Sequence, residues 1–364
     1  MKIIVLGTRG IPNVQGGVET HCEQLFPRIV KLGCEVELIT RKPYISRKER
    51  KIEYQGVKLK HLYAPKKKSI EAIIHSIIGV LYAKTKNPDI LHIHAIGPSL
   101  VVPLAKLLRL KVVITNHGPD YDRQKWGKIA KAVLKKGEKW GSNYADKVIV
   151  ISTVIQNSLK KLYSRENTDL IFNGVNIPDI SKKTDYLEEI GVEKYKYIFT
   201  AGRFVQEKGF HDLITAYKQI SSDEYRLVIA GDSDHPSAYR DDLLRMAEES
   251  NIVLTGFIKG DKLNQLFSHA ALFVLPSYHE GLPIALLEAM SYNLRVLVSD
   301  IPANKAVRLN NKNYFSVGNV EELAFKIKEL LKTKDPINYQ KIINDKYNWD
   351  KIALQTYKVY KSLM

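Results

Sequence analysis

The sequence predicts an α/β protein of two doubly wound, Rossmann-like domains that face each other across a cleft. Strand-like apolar runs alternate with helical patterns along the chain, and this alternation is typical of parallel sheets covered on both faces. The alternation is interrupted once, at residues 173–194, which are polar and have no period. At 364 residues the chain suits two domains of about 150 to 200 residues each.

Strand-like runs rich in β-branched residues define the order of the elements. In the first half they are Lys2–Leu6, Glu35–Thr40, Val57–Leu62, Ile90–His94, Val112–Asn116, Lys147–Ile151 and Asp169–Phe172. Helical patterns lie between most of them, for example Val18–Leu32, Ile70–Lys84 and Lys125–Tyr144. After the interruption the strands are Tyr197–Ala201, Tyr225–Ala230, Ile252–Leu254, Ala271–Leu275 and Arg295–Val298. The apolar spacing within Asn348–Met364 predicts a terminal helix.

The charge is unevenly distributed between the two halves. Residues 1–180 hold 31 Lys and Arg against 15 Asp and Glu, a net of +16, whereas the remaining residues have a net of +1, out of +17 in total. Such asymmetry indicates an anionic partner for the first half: a membrane surface, an acidic substrate or a nucleic acid. Only two cysteines are present, and no apolar stretch approaches the roughly 20 residues of a membrane span. We therefore expect a cytoplasmic protein whose first residues form a strand.

Two carboxylates frame the most informative segment. Glu280 and Glu288 flank a Gly-Pro loop and the start of a helix, directly after the predicted strand Ala271–Leu275. Open α/β sheets bind ligands at this end of a strand, and helix N-terminal N–H groups favour a phosphate there. Ionised carboxylates accept hydrogen bonds from sugar hydroxyls. The segment is thus typical of a site for a sugar joined to a phosphate, although a solvated loop residue and a helix-start charge would explain the pair as well.

Two cations follow the first strand of the second half. Arg203 and Lys208 lie five residues apart where a helix begins. Positive charge at a helix N-terminus opposes the helix dipole, so an anion between the two cations is the economical explanation. In the first half, Gly16 and Gly17 precede a helix and allow close approach of a ligand to the backbone, but the spacing is not that of a dinucleotide-binding loop.

Three histidines lie near the ends of two strands. His92 and His94 point to the same side of one strand, and His117 follows the next. The three resemble a zinc site, but a helix-borne histidine pair and a nearby cysteine cluster are both missing from the sequence. We therefore expect no metal and no cofactor.

The helix predicted at Lys125–Tyr144 has an apolar stripe that includes Ile129 and a basic side that includes Lys128, Lys131 and Lys135. The apolar stripe is expected to face the core. The basic side, together with Lys66–Lys68, is a candidate surface for an anionic membrane or acceptor.

The motifs together resemble family 4 retaining glycosyltransferases over nearly the whole chain. The resemblance lies in Pro276–Pro283 with Leu287–Met290, in Arg203 with Lys208, and in the Gly-Gly loop. The string Gly7–Gly17 resembles a bacterial subgroup that includes rhamnosyltransferases of surface-polysaccharide assembly. Asn293 and Arg295 stand where the family usually has Gly and Pro. Because Asn tolerates the left-handed conformation, we expect Asn293 to keep the helix-ending turn.

The resemblance implies the GT-B fold and a role for each motif. The expected N-terminal, acceptor-binding domain is 1–175 plus a helix at about 348–364 that crosses back to it; the nucleotide-sugar domain is 176–347. Glu280 and His117 would be catalytic, near the transferring sugar. Donor binding would fall to the diphosphate ligands Arg203 and Lys208, the ribose ligand Glu288, and the backbone of Gly16, Gly17, Gly281, Leu282 and Pro283.

The predicted function is the transfer of a sugar from a nucleotide-diphosphate sugar to a hydroxyl of a glycan or lipid-linked acceptor, in bacterial polysaccharide biosynthesis. The transfer would keep the anomeric configuration and would need no metal. The protein would be cytoplasmic or peripheral on the inner face of the membrane. Two alternatives stay open. One is a non-transferring enzyme of the same fold, a nucleotide-sugar epimerase or a phosphorylase. The other is a basic nucleic-acid-binding protein, for which the sequence offers no recognisable module.

Overall fold

The computed structural model describes the chain apart from Gln15, 46–49, 66–69, Asp120, 122–126, 221–223, 234–235, Asn251 and Lys334. The described residues form two compact units, Met1–Gly174 with Asn348–Met364, and Val175–Tyr347. The border therefore lies one residue before the one drawn from the sequence.

The first unit is built on an eight-stranded sheet. Its strands are β1 Lys2–Leu6, β2 Glu35–Arg41, β3 Glu53–Tyr54, β4 Val57–Leu62, β5 Ile90–His94, β6 Val112–Asn116, β7 Lys147–Val150 and β8 Asp169–Leu170. They lie in the order β3-β4-β2-β1-β5-β6-β7-β8, parallel except for the β3–β4 pair. The strands that follow β1 in the chain are added on one side of it, and those that follow β5 are added on the other side. The topological switch point of the sheet therefore lies between β1 and β5.

Helices cover this sheet. They are α1 Gly17–Lys31, α2 Glu71–Lys86, α3 Val102–Leu107, α4 Lys128–Tyr144 and α5 Thr153–Tyr163, with α14 Trp349–Lys361 from the end of the chain. α14 packs against α1, and its apolar face, which includes Trp349, Ile352 and Tyr360, belongs to the same core cluster as Phe26 of α1. This confirms that the terminal helix returns to the first unit.

The second unit holds a six-stranded sheet. Its strands are β9 Tyr197–Ala201, β10 Arg226–Ala230, β11 Val253–Leu254, β12 Leu272–Leu275, β13 Val296–Ser299 and β14 Tyr314–Phe315, in the order β11-β10-β9-β12-β13-β14 and all parallel. Its helices are α6 Asp185–Glu189, α7 Phe210–Ile220, α8 Ala238–Glu248, α9 Asp261–His269, α10 Ile284–Ser291, α11 Pro302–Lys305, α12 Val320–Lys332 and α13 Gln340–Lys346. The switch point of this sheet lies between β9 and β12.

Most predicted elements have bounds within two residues of the observed ones. Sequence reasoning missed β3 and β14, which are two residues long and carry almost no period. Lys66–Lys68 lies outside the described residues. Of the helices that the structure describes, none combines the length and the apolar character needed to cross a bilayer.

Candidate active site

The loops after β9 and β12 meet at the switch point of the second unit. Arg203 and Lys208 follow β9, and Glu280 follows β12. These strands are hydrogen-bonded neighbours in a parallel sheet, so both loops leave the same edge. The structure therefore brings together side chains that are more than seventy positions apart in the chain.

An ion pair joins the two loops. Lys208 Nζ lies 2.5 Å from Glu280 Oε1, and the two side chains are 18% and 11% exposed. The same carboxylate oxygen accepts a hydrogen bond of 2.7 Å from Ser277 Oγ. Burial opposes ionisation of the Glu280 carboxyl, but the charge of Lys208 and the two hydrogen bonds outweigh it and lower its pKa. Glu280 is thus a carboxylate whose charge is balanced by the lysine predicted to bind phosphate.

Backbone contacts fix the distance between the loops. Gly209 ends the short 3₁₀ helix Gln206–Lys208 with a φ of 65°, and a Cβ there would lie 2.2 Å from the Pro276 carbonyl oxygen. The Tyr278 N–H donates to the Glu207 carbonyl over 2.8 Å. Only glycine fits at 209, because the position needs both a left-handed conformation and close backbone approach. The position of Lys208 beside Glu280 is therefore set by rigid backbone.

Glu288 lies on α10, the helix that follows this loop. Gly281, Leu282 and Pro283 lead into the helix, and Pro283 is its N-cap. The Glu288 side chain is half-buried, and its carboxylate has no hydrogen-bond partner among the described residues. Burial raises the pKa of Glu288 to about 7. The two glutamates, which first stood out in the sequence as one pair of carboxylates, thus differ in charge. Glu280 is held ionised, whereas Glu288 is partly protonated at neutral pH.

The positions after α10 explain the two departures from the family pattern. Asn293 has a φ of 54°, as expected for a residue that ends a helix in the left-handed conformation, and its side-chain oxygen accepts from Tyr339 N at 2.9 Å. Arg295, which the sequence left unexplained, donates from Nη2 to the Asp335 carbonyl at 3.1 Å. Both residues tie β13 and α10 to the segment before α13.

In the first unit, Gly16 is explained by an internal contact. The Glu19 carboxylate in the first turn of α1 accepts from Arg9 N at 2.9 Å and from Arg9 Nε at 3.2 Å. A Cβ at Gly16 would lie 2.1 Å from Glu19 Oε2. Gly17, the first residue of α1, is exposed. Gly16 therefore makes room for the Arg9–Glu19 pair, and the exposed Gly17 is the part of the loop open to a ligand.

His117 is held from both sides by its neighbours. Asn116 Oδ1 accepts from Gly118 N at 2.8 Å, and Asn116 Nδ2 donates to Glu138 at 3.1 Å. The buried Glu138 also accepts from the hydroxyls of Tyr121 and Tyr163, at 2.8 and 3.0 Å. Sequence reasoning missed Glu138, because it counted the surrounding helix as a basic surface.

The histidine group differs from the predicted one. His92 donates or accepts through both ring nitrogens, to Tyr360 Oη at 2.7 Å and Thr115 Oγ1 at 2.8 Å. The member that joins His94 and His117 is instead His21 from α1. Burial lowers the pKa of all four, to about 4 for His21 and about 3 for His92, so they are neutral at physiological pH.

The apolar stripe predicted for α4 is only partly buried. Ile129 is 84% exposed, which contradicts its expected place in the core, whereas Gly137 and Gly141 of the next turns are buried. Lys128 and Lys135 are exposed and Lys131 is half-buried. The N-terminal part of α4 therefore presents an exposed isoleucine among lysines.

The family follows from comparison with known proteins. The family model described as "Glycosyltransferase Family 4" matches residues 15–178, and the model described as "Glycosyl transferases group 1" matches residues 182–349. Together the two matches span almost the whole chain. The chain is a glycosyltransferase of the family 4 type.

Relatives of this glycosyltransferase extend over its full length. An uncharacterized glycosyltransferase of Methanocaldococcus jannaschii is 26% identical over 395 aligned residues, which cover 100% of this chain and 99% of that protein. The putative teichuronic acid biosynthesis glycosyltransferase TuaC of Bacillus subtilis is 23% identical over 329 residues, 83% of this chain and 81% of that one. The structure of Anabaena HepE in complex with UDP-glucose matches with a TM-score of 0.82 at 17% identity and covers 100% of both chains. This likeness confirms the GT-B fold.

Proposed function

We propose that this glycosyltransferase moves a hexosyl group from a nucleotide-diphosphate sugar to a hydroxyl acceptor with retention of anomeric configuration. The observation that carries the proposal is the ion pair of Lys208 with Glu280 at the switch point between β9 and β12, with Arg203 in the same loop as Lys208. Ligands of open α/β sheets bind at this place. That HepE is seen with UDP-glucose supports a nucleotide sugar as the donor class here.

Each residue has a distinct task in the proposed reaction. The bond between the sugar C1 and the diphosphate oxygen breaks, the acceptor oxygen bonds to C1 on the same face, and the acceptor proton passes to the leaving diphosphate. Arg203 and Lys208 neutralise the charge that develops on the diphosphate. Glu280 and His117 contact the transferring sugar, Glu288 the ribose hydroxyls, and the backbone of Gly16, Gly17, Gly281, Leu282 and Pro283 lines the donor. Because Arg203 and Lys208 would supply the positive charge at the diphosphate, the proposed reaction needs no metal ion.

The acceptor is proposed to be a glycan or a lipid-linked hydroxyl in bacterial polysaccharide biosynthesis. The name of the TuaC relative and the resemblance of Gly7–Gly17 to the subgroup with rhamnosyltransferases favour this role. We place the protein in the cytoplasm, on the inner face of the membrane. The basic first unit and the exposed Ile129 beside Lys128 suit contact with anionic headgroups, where lysines supply attraction and an apolar side chain enters the interface.

The experiment is a thermal-unfolding screen of nucleoside diphosphates and their sugars, with Arg203→Ala as the matched variant. A ligand at 100 times its dissociation constant adds about 2.7 kcal/mol of stability to the wild type. We expect one nucleoside diphosphate to stabilise the wild type and to lose most of this effect in the variant. Stabilisation by oligonucleotides alone, with a steep salt dependence, would replace the proposal by the nucleic-acid alternative.

A further inference from the structure

Three buried or half-buried imidazoles form a triangle in the first unit. His21 comes from α1, His94 ends β5, and His117 follows β6. The ring centres are 5.0 Å apart for His21 and His117, 5.5 Å for His21 and His94, and 5.4 Å for His94 and His117. Side chains from three separate elements therefore meet at one place, and all three are imidazoles.

The ring nitrogens are close to the spacing that a metal ion requires. One nitrogen from each ring lies within 4.8 Å of the others, and His94 Nδ1 and His117 Nε2 share a hydrogen bond of 3.1 Å. Two nitrogens bound at about 2.0–2.1 Å to a tetrahedral zinc ion are about 3.4 Å apart. The His94–His117 edge already has about this length, and the His21 nitrogen needs to approach by up to about 1.4 Å, through rotation of its side chain.

The His21 ring is oriented as a metal ligand is. Its Nδ1 lies 2.8 Å from Asn173 Oδ1, an oxygen that can only accept, so the ring proton is on Nδ1 and Nε2 carries a lone pair. His21 is 3% exposed, and its Nε2 has no hydrogen-bond partner among the described residues. A histidine that donates through one nitrogen to a carbonyl and offers the other is the usual arrangement around a metal.

His94 and His117 complete the set. His94 is fully buried, and its Nε2 also lacks a partner in the described part of the chain, so Nε2 can hold the ring proton when Nδ1 binds a metal. His117 is half-buried, which leaves the triangle reachable from the surface on its side. His92 shows the contrast, because both of its nitrogens hydrogen-bond to hydroxyls outside the triangle, whereas His94 Nδ1 and His117 Nε2 bond to each other.

We propose that His21, His94 and His117 bind one zinc ion through one nitrogen each, with a fourth position open to water. Three imidazoles suit zinc and the neighbouring late transition metals rather than Mg²⁺ or Ca²⁺, which prefer oxygen ligands. On binding, the hydrogen bond between His94 Nδ1 and His117 Nε2 breaks, and its proton moves to the other nitrogen of the same ring. Each imidazole then binds as the neutral ring, so binding releases no proton. Zinc held by His117 blocks contact between His117 and the transferring sugar, so it inhibits transfer; this consequence alone rests on the proposed function.

The binding test uses the full chain, freed of metal with a chelator and titrated with Co²⁺, whose visible absorption reports tetrahedral coordination. We expect one equivalent of Co²⁺ to bind, and Zn²⁺ to displace it. His21→Gln and His94→Gln should each weaken binding by about 100-fold or more, since even a partner of a metal ligand contributes 10- to 100-fold. His75→Gln is the matched control, because His75 is also buried with an unpaired Nε2 but does not belong to the triangle.

The proposal is overturned if the folded wild type shows no tetrahedral Co²⁺ spectrum, or if His75→Gln weakens binding as much as His94→Gln. Should the variants not fold, X-ray absorption of the zinc-loaded wild type decides: three imidazoles support the site, and fewer than three contradict it. Zinc should inhibit transfer by the wild type, with recovery on chelation, but not transfer by His21→Gln. Tight binding without inhibition overturns the inhibitory consequence and leaves the site standing. A failure of the proposed function would leave the Co²⁺ result unaffected.

Discussion

Lys208 Nζ and Glu280 Oε1 lie 2.5 Å apart, so the lysine predicted to bind the donor diphosphate is paired with the glutamate predicted to act near the sugar. A diphosphate that enters the site competes with Glu280 for Lys208. The pair therefore couples two roles that looked independent in the sequence, and it holds the lysine in place before the donor arrives.

This pairing gives the two residues opposite effects on nucleotide affinity. Glu280→Gln removes the competing charge, so we expect nucleoside diphosphate to bind as tightly as in the wild type or several-fold tighter, whereas turnover falls by about 100-fold or more. Lys208→Met should weaken nucleotide binding by at least about 10-fold. Calorimetric titration with the nucleoside diphosphate and steady-state kinetics separate the two effects. Loss of nucleotide affinity in Glu280→Gln would show that Glu280 touches the nucleotide directly.

Glu288→Gln should weaken nucleotide binding but raise the free energy of unfolding, and the gain in stability should depend on pH. The pKa of Glu288 is raised by burial to about 7, above the value of about 4.3 for an unfolded chain, so ionisation costs the folded state stability as pH rises between these values. At pH 8 the cost is fully present, and the variant should be more stable than the wild type by about 1–3 kcal/mol, with no gain at pH 4. Urea unfolding at both pH values measures this difference. A gain that is equal at the two pH values would contradict the raised pKa.

In the wild type, ionisation of Glu288 should make nucleotide binding tighter as the pH rises from 6 to 8. The reason is that the carboxylate accepts hydrogen bonds from two ribose hydroxyls better than the protonated acid does. Glu288→Gln should remove this pH dependence. A dependence that persists in the variant would assign it to another group.

Arg203→Ala should lower kcat/KM by the equivalent of about 2–4 kcal/mol of transition-state stabilisation, the scale of one preorganised electrostatic partner. Arg203→Lys keeps the charge and should recover part of the loss, since lysine acts as a point charge. Initial rates at subsaturating donor provide the measurement. Near-normal rates in Arg203→Ala would end the assignment to the diphosphate.

Glu138→Ala should destabilise the first unit by about 2–4 kcal/mol, because the Asn116 amide and two tyrosine hydroxyls lose their common acceptor inside the protein. Glu166→Ala, at an exposed position, should change stability by less than about 0.5 kcal/mol. Chemical unfolding of both variants tests the difference. If Glu138→Ala is as stable as Glu166→Ala, the three hydrogen bonds do not hold His117 in place.

Membrane contact should depend on the lysines of α4. The wild type is expected to sediment with liposomes that contain anionic lipid at low salt and to dissociate at high salt, since the Debye length falls from about 10 Å at 0.1 M to about 3 Å at 1 M. Reversal of Lys128, Lys131 and Lys135 to Glu should abolish binding and leave nucleotide affinity intact. Reversal of Lys182, Lys194 and Lys332, exposed in the second unit, is the charge-matched control. A wild type that ignores anionic liposomes at low salt would contradict the membrane role.

Strand–helix alternation predicted the fold because buried strands are continuous apolar runs, such as Leu272–Leu275, and their loops carry the charged motifs at one edge. The alternation of strands and helices does not predict which side chains from distant segments touch each other. The Lys208–Glu280 pair joins residues from different loops, and His21 joins the histidines from a helix whose pattern indicates only an apolar face. Ile129 was predicted to be buried because it has the helical spacing of the apolar stripe. It is exposed because it lies in the first turn of α4, where the helix extends beyond the core.

Glycosyl transfer is tested by the reaction itself, with a donor selected by thermal stabilisation and a hydroxyl acceptor, and with NMR to follow the anomeric carbon. The proposed function predicts that one nucleoside diphosphate is released for each glycoside formed, that the product keeps the anomeric configuration of the donor, and that Arg203→Ala is strongly impaired. Inversion at the anomeric carbon would contradict retention. Formation of a new nucleotide sugar without an acceptor, or a requirement for free phosphate, would contradict glycosyl transfer and identify the protein as an epimerase or a phosphorylase.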